Sequence, residues 1–193
     1  MKLLFVDACL RGEKSRTKRI CESVIEGLKN KYPDIELETA DIKNTDIKPL
    51  NEAGLEERER LLDDGDNGAF DMARQFAAAD VIVVGAPYWD LSFPAALKIY
   101  IENVAVNTIA FRYTDRGQEG LCKAKEAYYV TTCGGYMTGA DYGYSYIKGV
   151  FGLFGIENVK CIAAEGLDII GNDAESIVNE AILRAREVIK QQV

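Results

Sequence analysis

The chain has 193 residues, 48% of them hydrophobic, which suffices for one domain over residues 1–193 with a sizeable core. Its formal net charge of −8 argues against nucleic acid and anionic membrane as partners, because both repel an acidic surface. The absence of histidine excludes His-based triads, His-ligated zinc and His general acid–base chemistry, and no metal site is expected.

Leu3 to Val6 is an apolar run that reads as a first strand in the middle of a sheet. It ends in the loop Asp7 to Thr17, after which Ile20, Val24 and Leu28 mark the apolar stripe of a helix. Ser15 is placed to cap that helix, with Thr17 in its first turn. Hydroxyls and basic residues at a strand-to-helix turn suit a phosphate, since free N–H groups and the positive helix end face the anion. An ordinary capped helix fits the same residues, and neither a Walker loop nor a GxGxxG fingerprint is present.

Ile35 to Ala40 alternates apolar with polar and reads as an edge strand. Residues 42–70 form a charged excursion, in which Asp63-Asp64-Gly65-Asp66 lacks EF-hand spacing and is expected to be a solvated loop. A short helix through Met72, Phe76 and Ala79 leads to a third strand, Val81 to Val84, apolar on both faces. Beyond it lies the aromatic loop Tyr88-Trp89-Asp90-Leu91, which suits a flat ring or merely packs itself; then Pro94 opens a helix over 94–105. Residues 107–114, with a turn at Asp115-Arg116-Gly117, read as an extended ribbon. A fourth strand, Ala127 to Thr131, runs into Thr132-Cys133-Gly134-Gly135, where paired glycines either admit a ligand to the backbone or form a simple turn. Tyr142, Tyr144 and Tyr146 lead into a helix around 145–154; a fifth strand, Val159 to Ala164, and a final helix, Ser176 to Gln191, complete the chain.

Five strands alternating with helices predict a doubly wound α/β fold, a parallel sheet of order 2-1-3-4-5 with helices on both faces. In that order strands one, three and four are neighbours, so the loops at 9–17, 88–91 and 132–135 converge on the switch point at the strands' carboxyl ends. Flavin mononucleotide (FMN) is a natural occupant of such a crevice. No run approaches the roughly 18–20 apolar residues of a membrane span. Met1 to Asp7 is too short for a signal sequence, and five widely spaced cysteines without a CxxC fit a reducing cytoplasm.

The sequence resembles the FMN-dependent NADH:quinone oxidoreductases, or azoreductases, of the flavodoxin-like superfamily, nearly end to end. The family's Ala-Pro-Met-Tyr-Asn-Phe segment and later Gln-Leu-Lys helix are matched by Ala86-Pro87-Tyr88-Trp89-Asp90-Leu91 and Ala96-Leu97-Lys98. Phe111-Arg112-Tyr113-Thr114 with Glu119-Gly120-Leu121 is distinctive of the family, and Ala164-Glu165-Gly166 also fits. Its Ser-Arg-Gly-Gly loop is matched by Thr132-Cys133-Gly134-Gly135. Position by position, the resemblance places flavin contacts at Cys9, Ser15, Arg16, Thr17, Tyr88, Trp89, Asp90, Leu91, Thr132, Cys133, Gly134 and Gly135.

It implies an enzyme in which the flavin carries the chemistry and no side chain is the catalyst. NADH (or NADPH) donates hydride, and a quinone or other flat aromatic acceptor, azo compounds included, takes two electrons in a ping-pong cycle. It also implies a homodimer with the active site at the subunit interface. Cys9 and Cys133 depart from the family's usual serine and arginine, and Asp90 brings a carboxylate that disfavours anionic reduced flavin. Cys133 reads more readily as a small loop residue than as a redox thiol. A flavodoxin-type single-electron carrier is the alternative, suited by the acidic surface but lacking a counterpart for 107–121; a flavin-free relative is a third.

Overall fold

The computed structural model describes residues 1–64, 68–139 and 141–190. The chain opens with β1 (Lys2–Asp7), a single 3-10 turn at Gly12–Lys14, α1 (Arg16–Lys31) and β2 (Glu36–Asp41). Two helices, α2 (Glu52–Asp64) and α3 (Asp71–Ala78), precede β3 (Val81–Gly85) and α4 (Ala95–Val104). A hairpin of β4 (Phe111–Thr114) and β5 (Gly117–Gly120) follows, then β6 (Glu126–Thr132), α5 (Tyr142–Leu153), β7 (Asn158–Ala164) and α6 (Ala174–Lys190).

Five strands pair in parallel in the order β2-β1-β3-β6-β7. The numbering departs from the expected 2-1-3-4-5 because the antiparallel hairpin β4–β5 stands apart from the sheet. Central strands β1 and β3 are near-continuous apolar runs because both faces are covered, whereas edge strand β2 is half exposed. On one face, Ile20, Val24 and Leu28 of α1 and Val178, Ala181 and Ala185 of α6 pack on Leu3, Phe5, Val83 and Val130. The other face buries Leu4, Val6, Ile82, Val84 and Tyr129 beneath α3, α4 and α5. There Phe76 meets Phe151 and Phe154 edge-on, with ring centroids 5.4 and 5.7 Å apart. Such pairs add about 0.5–1.5 kcal/mol each to plain burial. Among the described residues, no helix is long and apolar enough to cross a membrane.

Three local expectations are corrected. Part of the charged excursion is helical: α2 includes Asp63 and Asp64 in its last turn, while Gly65 and Asp66 lie outside the described residues. It has no fully buried residue, so it lacks the apolar stripe that marks a helix in sequence. Of the ribbon expected at 107–114, only 111–114 is extended, as the first arm of the hairpin, while 108–110 is a turn; Cys122 N–H, just past the second arm, donates to Phe154 O at 3.1 Å. At Gly120 the hairpin passes so close to α5's end that a Cβ would lie 2.1 Å from Gly155 N. Finally, Tyr142, Tyr144 and Tyr146 lie within α5, because the Asp141 carboxylate caps it by accepting from Gly143 N–H (3.0 Å) and Tyr144 N–H (2.9 Å). Pro94 stands at the N-cap position of α4, just outside its first turn, with no side-chain cap hydrogen bond. The final helix is described as far as Lys190; Gln191 lies outside the described residues.

Candidate active site

At the carboxyl ends of β1, β3 and β6 the loops enclose a cavity of about 400 Å³, within the size range of small-molecule sites. Its one end is the start of α1. Ser15 caps this helix, its Oγ accepting from Lys18 N–H at 3.2 Å, and helical geometry leaves the first N–H groups without intrahelical acceptors. Thr17 is buried, with Oγ1 2.7 Å from Thr132 Oγ1, so one hydroxyl of the pair donates to the other across α1 and β6. Arg11, Lys14 and Arg16 contribute three positive charges to the lining against the single carboxylate of Asp168. That carboxylate lies 2.9 Å from Arg16 Nη1. The end near α1 is therefore built for an anion.

The opposite wall comes from the β3 loop. Tyr88 N–H donates to Thr132 O at 2.9 Å, continuing the ladder between β3 and β6 past their ends. The chain then reverses in two residues: Trp89 N–H donates to Ser92 O at 3.0 Å and Ser92 N–H to Trp89 O at 2.9 Å. Asp90 and Leu91 have φ of 51° and 67°, the pattern of a type I′ turn. Leu91 O accepts from Tyr142 N–H at 3.2 Å, so the turn is tied to α5. Trp89 is left 38% exposed at the cavity edge.

The third wall is 132–135, zipped to the segment after β7. Leu167 N–H donates to Cys133 O (3.1 Å), Asp168 N–H to Gly134 O (2.9 Å) and Gly166 N–H to Gly135 O (2.7 Å). A Cβ on Gly134 would meet Asp168 Oδ2 at 2.5 Å, whereas nothing lies within 4 Å of one on Gly135. Burial pushes the Cys133 thiol up, away from thiolate chemistry.

The sequence pattern of the flavodoxin-like fold family matches residues 1–189. The FMN-dependent NADH:quinone oxidoreductase 2 of Clostridium acetobutylicum is 38% identical over 197 residues, covering 98% of each chain. The chain belongs to this flavodoxin-like family of FMN-dependent NADH:quinone oxidoreductases. Its counterpart from Coprothermobacter proteolyticus is 36% identical over 201 residues, again with 98% of each chain covered. Among solved structures, an azoreductase from Bacillus anthracis superposes with a TM-score of 0.85 at 24% identity, over 99% of each chain. An FMN-dependent NADH-azoreductase from the same species, solved with FMN, gives 0.84 at 19% identity over 98% of each chain; both likenesses show the fold.

In this member of the flavodoxin-like family, Ser15, Arg16, Thr17, Tyr88, Trp89, Thr132, Cys133 and Gly134 line one cavity. Cys9 does not: it is buried below, its N–H spent on Asp7 Oδ1 at 2.9 Å and its Sγ against Gly85 O at 3.5 Å. Asp90 and Leu91 form the tip of the turn, and Asp90 faces a neighbouring recess instead. Gly135 flanks the cavity without lining it. Leu10, Arg11, Lys14, Pro87, Leu167 and Asp168 are lining residues that the sequence did not single out. Arg11 and Lys14 stood in a flagged loop, but Asp168 carried no motif.

Proposed function

We propose that the chain is an FMN-dependent NADH:quinone oxidoreductase, accepting azo compounds as well, on a single flavodoxin-like domain over residues 1–193. The supporting observation is one cavity that joins a basic, hydroxyl-bearing helix start to an aromatic turn, in a chain 38% identical to such an enzyme.

The residues fit FMN. Ser15, Thr17, the first N–H groups of α1, and Arg11, Lys14 and Arg16 would hold its phosphate. The backbone of 88–91 and the Trp89 ring would bear the flat ring system, with open Gly135 and buried Cys133 at its edge. When bound, FMN supplies the hydride-accepting and hydride-donating chemistry, in a ping-pong sequence from NADH to the acceptor. The chain's part is to bind, orient and exclude water. No side chain is assigned as the catalyst. NADPH is the less favoured donor, because the cavity's basic residues are gathered at its phosphate end.

A homodimer is part of this proposal. Beside the cavity lies a second recess of about 730 Å³ whose wall includes Trp89, Phe93, Tyr142 and Tyr146, an aromatic face suited to a second copy. Five free thiols suit a reducing cytoplasm.

The test is an anaerobic absorption spectrum of protein incubated with FMN and desalted, before and after NADH. A retained flavin band that bleaches on mixing is the expected result. A band unmoved by either nicotinamide would turn the assignment to a flavodoxin-type electron carrier. No retained band would remove the cofactor from the proposal.

A further inference from the structure

We infer that Asp168 is a built-in counter-anion of the phosphate end, a carboxylate that holds Arg16 and competes with a phosphate for it. This rests on the FMN proposal above. Four observations carry it. Asp168 Oδ1 lies 2.9 Å from Arg16 Nη1, and both residues line the cavity that Ser15 and Thr17 enter. The segment carrying Asp168 is fixed by backbone hydrogen bonds from Gly166, Leu167 and Asp168 to 133–135, so the carboxylate is held on one side of the crevice mouth. Gly134 leaves the space that its Oδ2 occupies, 2.5 Å from where a Cβ would stand. The contact is one nitrogen to one oxygen, which leaves the other donors of the Arg16 fork for a second acceptor.

The charges give the direction of the effect. Arg16 and Asp168 are 38% and 71% exposed at the side chain, so their pair contributes little stability. A phosphate accepts more hydrogen bonds than a carboxylate and carries nearly two charges, so it is the stronger partner for a guanidinium. Binding it sets two anions side by side on one guanidinium, which Asp168 then shares or gives up. Asp168 therefore weakens retention of a phosphorylated ligand and makes it less sensitive to salt, because it lowers the net positive charge that faces the phosphate.

The experiment uses the isosteric Asp168→Asn, which keeps an oxygen for Arg16 and the fit over Gly134 but removes the charge. Apoprotein is titrated with FMN and with riboflavin at low and high salt, following flavin fluorescence. Expected is FMN binding about three- to tenfold tighter in D168N at low salt, a gain that shrinks at high salt, and unchanged riboflavin affinity. Weaker or unchanged FMN binding, or an equal gain for riboflavin, would overturn the inference; weaker binding would make Asp168 a tether for Arg16. Inorganic phosphate, followed by the amide resonances of Arg16 and Thr17, separates this inference from the FMN assignment. Tighter phosphate binding in D168N without flavin binding by either protein would sustain the counter-anion and remove the flavin. Phosphate binding unchanged by D168N would overturn the counter-anion.

Discussion

Leu91 is a γ-branched residue at φ 67°, beside Asp90 at 51°, in a turn whose backbone favours Asn-Gly. Aspartate tolerates the left-handed region; leucine is strained there by roughly 1–2 kcal/mol. The side chain recovers little of this, being 57% exposed. Leu91→Gly should therefore raise the unfolding free energy by about 1 kcal/mol, less than the full strain because glycine loses more entropy on folding. Urea denaturation of the two proteins checks this, and an unchanged or lower midpoint would mean that the turn is not strained. The same residue shows how residue type misleads. Asp90 and Leu91 are expected flavin contacts, Asp90 notable for its carboxylate; in the structure the two residues form the reversal that sets Trp89 at the cavity edge. Cys9 is similar: its place after β1 was legible, but the Asp7 carboxylate that turns it inward was not. Gly134, which reads either as admitting a ligand or as part of a simple turn, lines the cavity, and its missing Cβ also leaves room for Asp168.

Among elements, those with an apolar period were legible and those held by polar contacts were not. Strands β1 and β3 announce themselves as continuous apolar runs, and α1 by its stripe of Ile20, Val24 and Leu28. The loops that build the cavity follow from strand order alone, because adjacent parallel strands bring their carboxyl ends together. Asp168 was hidden because its partner Arg16 lies 152 residues away in the chain. Helix α2 was missed because its anchor is a cation. Arg58 Nη2 donates to Glu102 O at 3.0 Å and Asn103 O at 3.2 Å, the last carbonyls of α4, which have no helical N–H to accept from. Burial lowers the Arg58 pKa, but the guanidinium stays charged at any working pH. Arg58→Gln should loosen α2 locally rather than unfold the protein. Hydrogen exchange in 52–64 should then accelerate by about tenfold, with the strands of the sheet unchanged, matching about 1.4 kcal/mol lost from one helix's docking. Equal acceleration throughout would mean that α2 belongs to the cooperative core.

At the scale of the molecule, the two ends of the sheet divide the work. The carboxyl end gathers Arg11, Lys14 and Arg16 into a basic pocket on a chain of net charge −8, a local inversion that concentrates anionic ligands where the loops meet. The amino end is a structural staple. Asp80, at the start of β3, accepts from Lys2 N–H at 2.7 Å, and its other oxygen lies 2.7 Å from Lys123 Nζ. One carboxylate so ties β1, β3 and the approach to β6. Hydrogen bonding from Lys123, and then from the Lys2 amide, holds its pKa below the usual carboxylate value. A folded pKa below the unfolded one, about 3.9, means that the folded chain binds fewer protons than the unfolded chain in acid. Its contribution is thus fully present above that value and is lost as pH falls through the lowered folded pKa. Asp80→Asn should cost about 1–2 kcal/mol at pH 7, since the charged hydrogen bonds weaken while the shape is kept. The difference between the two proteins should close below about pH 4 as the wild-type carboxylate protonates. Urea midpoints across that range decide it: a gap that stays constant into acid would mean that Asp80 acts by packing and not by its charge.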